Sequence, residues 1–386
     1  MSSLAARLAD GLAALERDDL RRRRRVLDSA QGPRIVVDGR EATNFSSNDY
    51  LGLANHPRLR AAAHAAIDSF GVGAGASPLV TGQMRAHQQA EARFATFTGL
   101  PAALLFPSGY AANLGVLAAL CDRHAEIFAD RLDHACLNDG AILSRAEFTR
   151  YPHMDLAALE SRLATSKSAV RVVATDTVFS MDGDLAPVPE LLALCERHEA
   201  WLLLDDAHGF GVLGATGRGS LEHFGLKSDR VIYMATLGKA LGGYGAFVGA
   251  SPMVIDWLVQ KARTYVFSTA LPPAVAATAT AAMDLLEEEP QLVVRLHQRI
   301  ALFRSLAASA QLPLAASGTA IQPLMIGDAA RAMAASAKLL ERGYCVPAIR
   351  PPTVPEGTSR LRVTISAAHS PGEVRGLVAA LAESLG

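Results

Sequence analysis

The sequence predicts an α/β protein with three parts: a large domain with a mostly parallel sheet flanked by helices, a smaller α+β C-terminal domain and an N-terminal helical segment. Between roughly residues 55 and 260, short apolar runs alternate with alanine-rich helical stretches. The apolar runs are continuous rather than alternating, which is typical of strands buried on both faces of a parallel sheet. The chain has 386 residues, half of them hydrophobic, which is enough for a large core and for more than one domain.

The predicted elements follow in chain order. Residues 1–30 have the pattern of a helix, and residues 35–53 that of a short hairpin followed by a loop. The buried strands are predicted in the stretches ALLFPSGY, VRVVATDTVFSMDG, WLLLDDAH and RVIYMATLG. A helical region then reaches about residue 310, and further strands are predicted near AIQPLMIG, YCVPAIR and SRLRVTIS. We therefore expect domains at 1–50, 51–275 and 276–386.

Charge and cysteine usage exclude several classes of protein. The net charge is −1 and the pI is about 6.8, so neither a nucleic-acid nor a membrane surface is expected. The arginine run at 21–25 is the exception, and it is typical of a solvated basic face. The N-terminus has acidic residues and no apolar stretch of signal-peptide length. The four cysteines have no metal-ligand or paired spacing, so we expect a cytoplasmic protein.

Lys239 lies in the glycine-rich stretch TLGKALGGYGAFVGA, and it is one of only five lysines in a chain that otherwise uses arginine. Arginine stays protonated in proteins, whereas a desolvated lysine amine can lose its proton and form a Schiff base. Glycine-rich lysine loops also bind phosphates, so this stretch alone leaves both interpretations open.

Polar residues follow each of the predicted buried strands. Ligands of open parallel sheets bind beyond the carboxyl ends of the strands. The residues found there are Gly109 and Tyr110 at a strand-to-helix turn, Ser180, Asp205 with His208, and Thr236 with Lys239. The stretch ADRLDHACLNDG adds a further candidate, His134. The first N–H groups of a helix form an anion site, and acids that directly follow apolar residues are not buried without a use.

Three other motifs are weaker. GFGVLG at 209–214 matches the dinucleotide pattern, but ATGRGS follows it and does not predict a helix. The cluster of Asp205, Asp206 and His208 has no histidine pair at helical spacing beside it, so we expect no metal site. No G-x-S-x-G stretch is present, which disfavours a serine hydrolase.

Together these residues meet the requirements of pyridoxal 5′-phosphate (PLP). This cofactor needs a lysine that forms a Schiff base, an acid at the pyridine nitrogen and a group of phosphate ligands. Lys239 suits the first role and Asp205 the second. Gly109, Tyr110 and Thr236 suit the third.

The motifs FSSNDYLGL, VFSMDGD, DDAHGFGVLG, GRGS and T-x-GK-A-x-GG resemble those of the α-oxoamine synthase family of fold-type I PLP transferases. The resemblance extends from about Arg21 to the end of the chain. It implies a homodimer in which an amino acid is condensed with an acyl thioester and carbon dioxide is lost. The stretch AIRPPTVPEGTSRLRVTISAAH is most similar to the members of biotin biosynthesis. That similarity implies an acyltransferase for L-alanine and a pimeloyl thioester, carried by coenzyme A or acyl carrier protein.

The resemblance also implies a role for each site residue. Lys239 carries the cofactor and acts as the base, Asp205 pairs with the ring nitrogen, and His134 stacks over the ring and contacts substrate. The other cofactor contacts are His208 and Ser180 at the ring oxygen, Thr236, Gly109 and Tyr110 at the phosphate, and Ser268 and Thr269 from the neighbouring subunit. The substrate contacts are Arg350 at the amino-acid carboxylate, Thr353 beside it, and Arg21, preferred to Arg22, at the acyl group.

Alternatives remain open at this point. Within the family, glycine could replace alanine, as in 2-amino-3-ketobutyrate ligase or 5-aminolevulinate synthase, because one methyl group changes binding by only about 1–3 kcal/mol. A nicotinamide dehydrogenase built on GFGVLG would need a helix after Gly214. A non-catalytic binding protein with the same fold would not need Lys239.

Overall fold

The structure is a computed structural model that describes residues 3–18 and 20–385. The described chain forms two compact units. Unit 1 holds residues 3–47, 181–183 and 298–385, and unit 2 holds residues 48–180 and 184–297. Each unit is described by itself, and the division into three domains stays a prediction.

The strands of the described residues are short, as expected for a sheet covered by helices. They are β1 (Arg34–Val37), β2 (Arg40–Asn44), β3 (Ala102–Phe106), β4 (Ala125–Asp130), β5 (Glu147–Tyr151), β6 (Val170–Asp176), β7 (Trp201–Asp205), β8 (Val231–Thr236), β9 (Ala246–Ala250), β10 (Ile321–Gly327), β11 (Tyr344–Cys345), β12 (Ala348–Ile349) and β13 (Ser359–Thr364).

The helices range from one turn to five turns. They are α1 (Leu4–Arg17), α2 (Pro57–Phe70), α3 (Arg85–Thr98), α4 (Gly109–Leu120), α5 (Ala135–Ser144), α6 (Leu156–Thr165), α7 (Val188–Arg197), α8 (Ser220–Phe224), α9 (Pro252–Lys261), α10 (Arg263–Val266), α11 (Pro273–Glu288), α12 (Gln291–Ser309), α13 (Ala329–Glu341) and α14 (Pro371–Leu385), with a π-helical turn at Pro78–Gly82.

Unit 2 is built on a seven-stranded sheet with the order β3-β9-β8-β7-β6-β4-β5. The pairs among β8, β7, β6, β4 and β5 are parallel, whereas β9 is antiparallel to both of its neighbours. The central strands are buried over most of their length, and apolar side chains from the sheet pack against α4 and α5 in one core cluster. This arrangement confirms the predicted mostly parallel α/β sheet.

Unit 1 contains two three-stranded sheets. In one, β13 pairs antiparallel with β10 and β12; in the other, the hairpin β1–β2 is extended by β11. The hairpin turns at Asp38–Gly39, where both residues have positive φ, as a two-residue Asp-Gly turn requires. The strands predicted in the C-terminal part of the sequence are therefore present.

The N-terminal helix is shorter than the sequence pattern indicated. Helix α1 is capped by Ser3 and ends at Arg17, and residues 20–33 form no helix. The physical reason lies in the arginine run at 21–25, which offers no apolar stripe and would place like charges three and four residues apart on a helix. The expectation of a helix up to residue 30 is wrong.

Candidate active site

Four strands of unit 2 carry chemically active residues to one edge of the sheet. Because β9 is antiparallel to both β3 and β8, β3 runs in the same direction as β8, β7 and β6. Their carboxyl ends therefore lie at the same edge, as the sequence predicts. Ser180 was expected at the end of its strand. Instead, β6 ends at Asp176, and Ser180 lies in the turn beyond it.

The turn from β3 into α4 has the features of an anion site. Helix α4 begins at Gly109, and its cap Ser108 accepts a hydrogen bond at Oγ from the Ala111 N–H (3.1 Å). A Cβ at Gly109 would lie 2.6 Å from Thr236 Cγ2, so only glycine lets β8 approach the helix this closely. Within residues 3–18 and 20–385, the buried Thr236 Oγ1 has no hydrogen-bond partner. An unpartnered hydroxyl beside the first N–H groups of a helix fits a phosphate.

Asp205 ends β7 and is buried. Its Oδ2 accepts a hydrogen bond from Asn113 Nδ2 at 2.7 Å, and its Oδ1 accepts one from the Ala207 N–H at 3.0 Å. Two N–H donors on different oxygens fix the plane of the carboxylate. The sequence predicted the acid but not its partner Asn113, whose only sequence signal is a single amide in the apolar helix GYAANLGVLAAL.

Lys239 lies in a closed turn after β8. The turn is held by hydrogen bonds from the Gly242 N–H to the Lys239 carbonyl (2.9 Å) and from the Gly243 N–H to the Leu237 carbonyl (2.8 Å). Burial raises the pKa values of Cys136 and Asp176 and lowers that of His134. The Lys239 charge opposes the first two shifts and adds to the third, so its ammonium lies within electrostatic range of these groups. The structure thus brings Lys239 into the same group of residues as His134.

His134 caps the N-terminus of α5. Its ring Nδ1 accepts a hydrogen bond from the Cys136 backbone N–H (3.2 Å), and its backbone N–H donates to Asp176 Oδ2 (2.8 Å). Partial desolvation lowers the pKa of His134, the Asp205 carboxylate opposes this, and Lys239 adds to the lowering. The net direction is downward, so His134 is a neutral imidazole near pH 7. The sequence did not predict Asp176 as its anchor.

His208 is buried after β7 and is oriented by Tyr50. The distance between Tyr50 Oη and His208 Nδ1 is 2.5 Å. Tyr50 lies in the FSSNDYLGL motif, which the sequence used only as evidence of family. Tyr110 is half exposed and donates a hydrogen bond to the Asp139 carboxylate. Ser268 and Thr269 line a small cavity together with Pro107, next to the anion site.

Asp206 differs from its neighbour Asp205 in what it contacts. It accepts hydrogen bonds from the Thr177 hydroxyl, from Tyr233 Oη (2.5 Å) and from the Ser220 N–H (2.7 Å), and it is fully buried. Burial raises the pKa of Asp206 to about 6. Asp206 is therefore an anchor for the segments around it, and only Asp205 contacts Asn113 in α4.

The stretch GFGVLG has no helix directly after it. Residues 207–217 form turns and bends, and the next helix is α8, which begins at Ser220 and has only five residues. The dinucleotide interpretation required a helix after Gly214, so the structure removes its support.

Of the four substrate residues predicted from the resemblance, His134 lies in unit 2 and the other three lie in unit 1. Arg21, Arg350 and Thr353 line a cavity of about 1150 Å³. Arg350 Nη2 donates to the Arg21 carbonyl (3.1 Å), while the Arg21 side chain pairs with Glu16 (3.0 Å). The guanidinium that reaches Thr353 Oγ1 is that of Arg22, at 3.1 Å. The choice of Arg21 over Arg22 at the acyl group stays a prediction.

His153 links two acids at the edge of unit 2 and predicts a pH dependence of stability. Its ring lies 3.0 Å from Asp130 Oδ1 and 2.9 Å from Asp184 Oδ2. Partial burial lowers the pKa of His153, but the hydrogen bonds to these acids outweigh it and raise the pKa to about 10. Because the folded-state pKa exceeds the unfolded value near 6.5, the stabilisation is complete below about pH 6.5 and is lost as the pH rises through about 10.

We expect His153→Gln to lower the free energy of unfolding by about 1.5–3 kcal/mol near pH 6 and by much less near pH 10. Denaturant titrations of both proteins across this pH range measure the difference. The matched control is His64→Gln, since His64 is exposed on α2. A difference between wild type and His153→Gln that stays constant from pH 6 to 10 contradicts this account.

Comparison with known proteins places the chain in a family. Residues 40–381 match the family of class I and II aminotransferases. The chain belongs to this family. It is 53% identical to the 8-amino-7-oxononanoate synthase of Methylococcus capsulatus over 98% of each chain, and 54% identical to that of Thiobacillus denitrificans over 96% of each. Among solved structures, a Lys-to-Ala variant of serine palmitoyltransferase from S. paucimobilis with a bound PLP–myriocin aldimine is 28% identical, with a TM-score of 0.93 over 99% of this chain and 98% of that one.

These likenesses confirm the resemblance and the fold predicted from the sequence. They also confirm the prediction of an acyltransferase that depends on PLP. The roles of the individual site residues stay predictions. In the described ranges, no helix is both long and apolar enough to span a bilayer.

Proposed function

We propose that the chain condenses L-alanine with a pimeloyl thioester and releases carbon dioxide and the free carrier thiol. The product is 8-amino-7-oxononanoate, the compound after which its relatives are named. The observation that supports this most strongly is the edge of the unit 2 sheet. There an anion site, an oriented carboxylate and a lysine follow strands of the same direction.

The residues at this edge fit PLP. The N-terminus of α4 and the unpartnered Thr236 hydroxyl suit the phosphate, and the doubly anchored Asp205 carboxylate suits the protonated pyridine nitrogen. Lys239 Nζ is the group that joins the aldehyde carbon. His134 would stack on the ring face, and Ser180 and His208 would bind the ring oxygen.

The chain's own residues then position and move protons. PLP, when bound, withdraws electron density from the Cα of the amino acid. Lys239 Nζ takes the proton from this carbon and returns a proton at the end. His134, neutral because of its lowered pKa, donates a hydrogen bond to the thioester carbonyl. Arg350 and Thr353 hold the amino-acid carboxylate, and Arg21 binds the acyl group.

An assay of thiol and carbon dioxide release tests the substrates. Purified protein with PLP is given L-alanine or glycine, each with pimeloyl, acetyl or succinyl thioesters. We expect the fastest release for alanine with the pimeloyl thioester, about tenfold or more above glycine. Parallel reactions with coenzyme A and acyl carrier protein as carriers identify the natural one. Release with glycine and a shorter acyl group alone would support a glycine-using member of the family instead.

We infer a homodimer in which each subunit lends Ser268 and Thr269 to the other's phosphate site. Unit 2 exposes large apolar side chains near these residues and the anion site, including Val80 (73% exposed) and Phe267 (71%). A group of exposed apolar side chains on one unit is typical of an interface. Several more are exposed in the same unit: Val72, Ile142, Leu143 and Tyr244.

Phe267→Glu is expected to shift the protein towards monomers in sedimentation experiments, because it places a charge in the proposed interface. PLP affinity should fall with it. The control is Met253→Glu, equally exposed (71%), which lies on the groove beside the amino ends of β6 and β7, away from the anion site. A wild-type protein that sediments as a monomer contradicts the inference.

We also infer a cytoplasmic location, since all four cysteines are free thiols.

A further inference from the structure

Asn113 is an amide buried in an otherwise apolar helix. It lies in α4, none of its surface is exposed, and its helix neighbours Ala112, Val116 and Leu117 belong to the apolar core of unit 2. An amide side chain at such a position destabilises the fold unless its polar atoms are used. The α4 core alone therefore gives no reason for asparagine here.

The amide is used on its nitrogen side. Nδ2 lies 2.7 Å from Asp205 Oδ2 and 3.0 Å from Cys136 Sγ. The assignment of nitrogen and oxygen follows from chemistry, since a carboxylate accepts hydrogen bonds and the amide oxygen cannot donate one. The oxygen Oδ1 has no partner within the described ranges. The side chain is thus placed to serve Asp205 rather than to satisfy itself.

Asp205 needs this second donor to keep one orientation. The Ala207 N–H, two residues on, binds Oδ1, and Cys136 Sγ lies 4.0 Å from Oδ2. A thiol is a weak donor at this distance, so without Asn113 the carboxylate could still tilt. Asn113 holds the other oxygen from 92 residues away, on a different element. With both oxygens held, the plane of the carboxylate is fixed relative to α4, whose first turn forms the anion site.

We propose that Asn113 is a positioning residue that aims the Asp205 carboxylate at the pyridine nitrogen of PLP through a charge-assisted hydrogen bond. The proposal rests on the proposed function, because it requires PLP at this edge of the sheet. It adds a residue that acts on the cofactor only through Asp205.

Three variants test the proposal. Asn113→Leu removes the donor at similar volume, Asn113→Asp keeps the shape but replaces the amide by a carboxyl group, and Val116→Ala perturbs the same face of α4 without touching Asp205. For each, the dissociation constant of PLP is measured by visible absorbance across pH. The thermal midpoint of the PLP-free protein is measured alongside to report on folding.

We expect Asn113→Leu to weaken PLP binding about 10- to 100-fold at every pH, as the loss of a hydrogen bond to a charged group predicts. In Asn113→Asp, two carboxyl groups share a proton at low pH, and this proton restores a donor. At higher pH both are charged and repel each other, so its PLP affinity falls with pH more steeply than that of the wild type. Val116→Ala should lower the thermal midpoint but leave PLP affinity within about twofold of wild type.

Wild-type PLP affinity in Asn113→Leu, or an affinity of Asn113→Asp that follows the wild-type pH profile, would overturn the proposal. If Asn113→Leu does not fold, the pH profile of Asn113→Asp decides. A uniform loss in all three variants that follows their thermal midpoints would show a purely structural role. Failure of the wild type to bind PLP at all would refute the proposed function instead.

Discussion

Replacing Lys239 with alanine is expected to reduce turnover below detection while leaving the fold intact. Lys239 is a half-buried side chain in a turn that is closed by backbone hydrogen bonds, so its removal leaves those bonds in place. The variant has no amine to bind the aldehyde of PLP or to take the Cα proton. Treatment with borohydride, which reduces the Schiff base, should label the wild type with a stable pyridoxyl group and leave Lys239→Ala unlabelled.

The matched control is Lys227→Ala, which removes an exposed lysine from the same unit. It should retain wild-type turnover, absorbance and labelling. Mass spectrometry of the labelled peptide locates the modified lysine directly. Full activity of Lys239→Ala, or a label on another lysine, would refute the assignment of the nucleophile. A wild type without turnover would instead favour a non-catalytic binding protein with this fold.

Asp205→Asn is the second large effect. The amide keeps the size of the side chain but cannot carry the charge that holds the pyridine nitrogen protonated. It also faces the Asn113 amide with no net charge, which weakens that hydrogen bond. We expect turnover to fall by about 100-fold or more, with weaker PLP binding. Steady-state kinetics at saturating PLP separates the loss of turnover from the loss of cofactor.

The control for this substitution is Asp256→Asn, on the exposed side of α9. Its turnover and PLP affinity should equal those of the wild type. Asp206→Asn provides a contrast, since Asp206 contacts Thr177, Ser220 and Tyr233. We expect Asp206→Asn to lower the thermal midpoint and to have only a small effect on PLP affinity. Equal kinetic losses in the variants at 205 and 206 would contradict the separate roles given to these acids.

The strands and their direction could be predicted from the sequence. The run Trp201–Asp205 is apolar up to its last residue, and such a run is stable only where both faces of a strand are covered. The position of the site residues at one edge of the sheet could then be predicted as well, because parallel strands end on the same side. The predicted length of the N-terminal helix was wrong. Its apparent helical pattern continued through a run of arginines, and no apolar face offsets the repulsion between their charges.

The site was only partly predictable. Lys239 and Asp205 stand out because their chemistry is unusual for their surroundings. Asn113 and Asp176 have no comparable signal, since each becomes important through a residue far away in the chain. Asn113 lies 92 residues from Asp205, and Asp176 lies 42 residues from His134. Such pairs form only when the sheet brings separate strands and helices together.

The sequence by itself determined the fold class, the family and the residue able to form a Schiff base, because burial patterns and side-chain chemistry are local properties. Only the tertiary structure decided which of two adjacent acids contacts α4. Asp205 receives the Asn113 amide, whereas Asp206 is held by Thr177 and Tyr233, 29 and 27 residues away. The direction of a side chain beyond the end of a strand depends on such distant partners, and no local pattern encodes it.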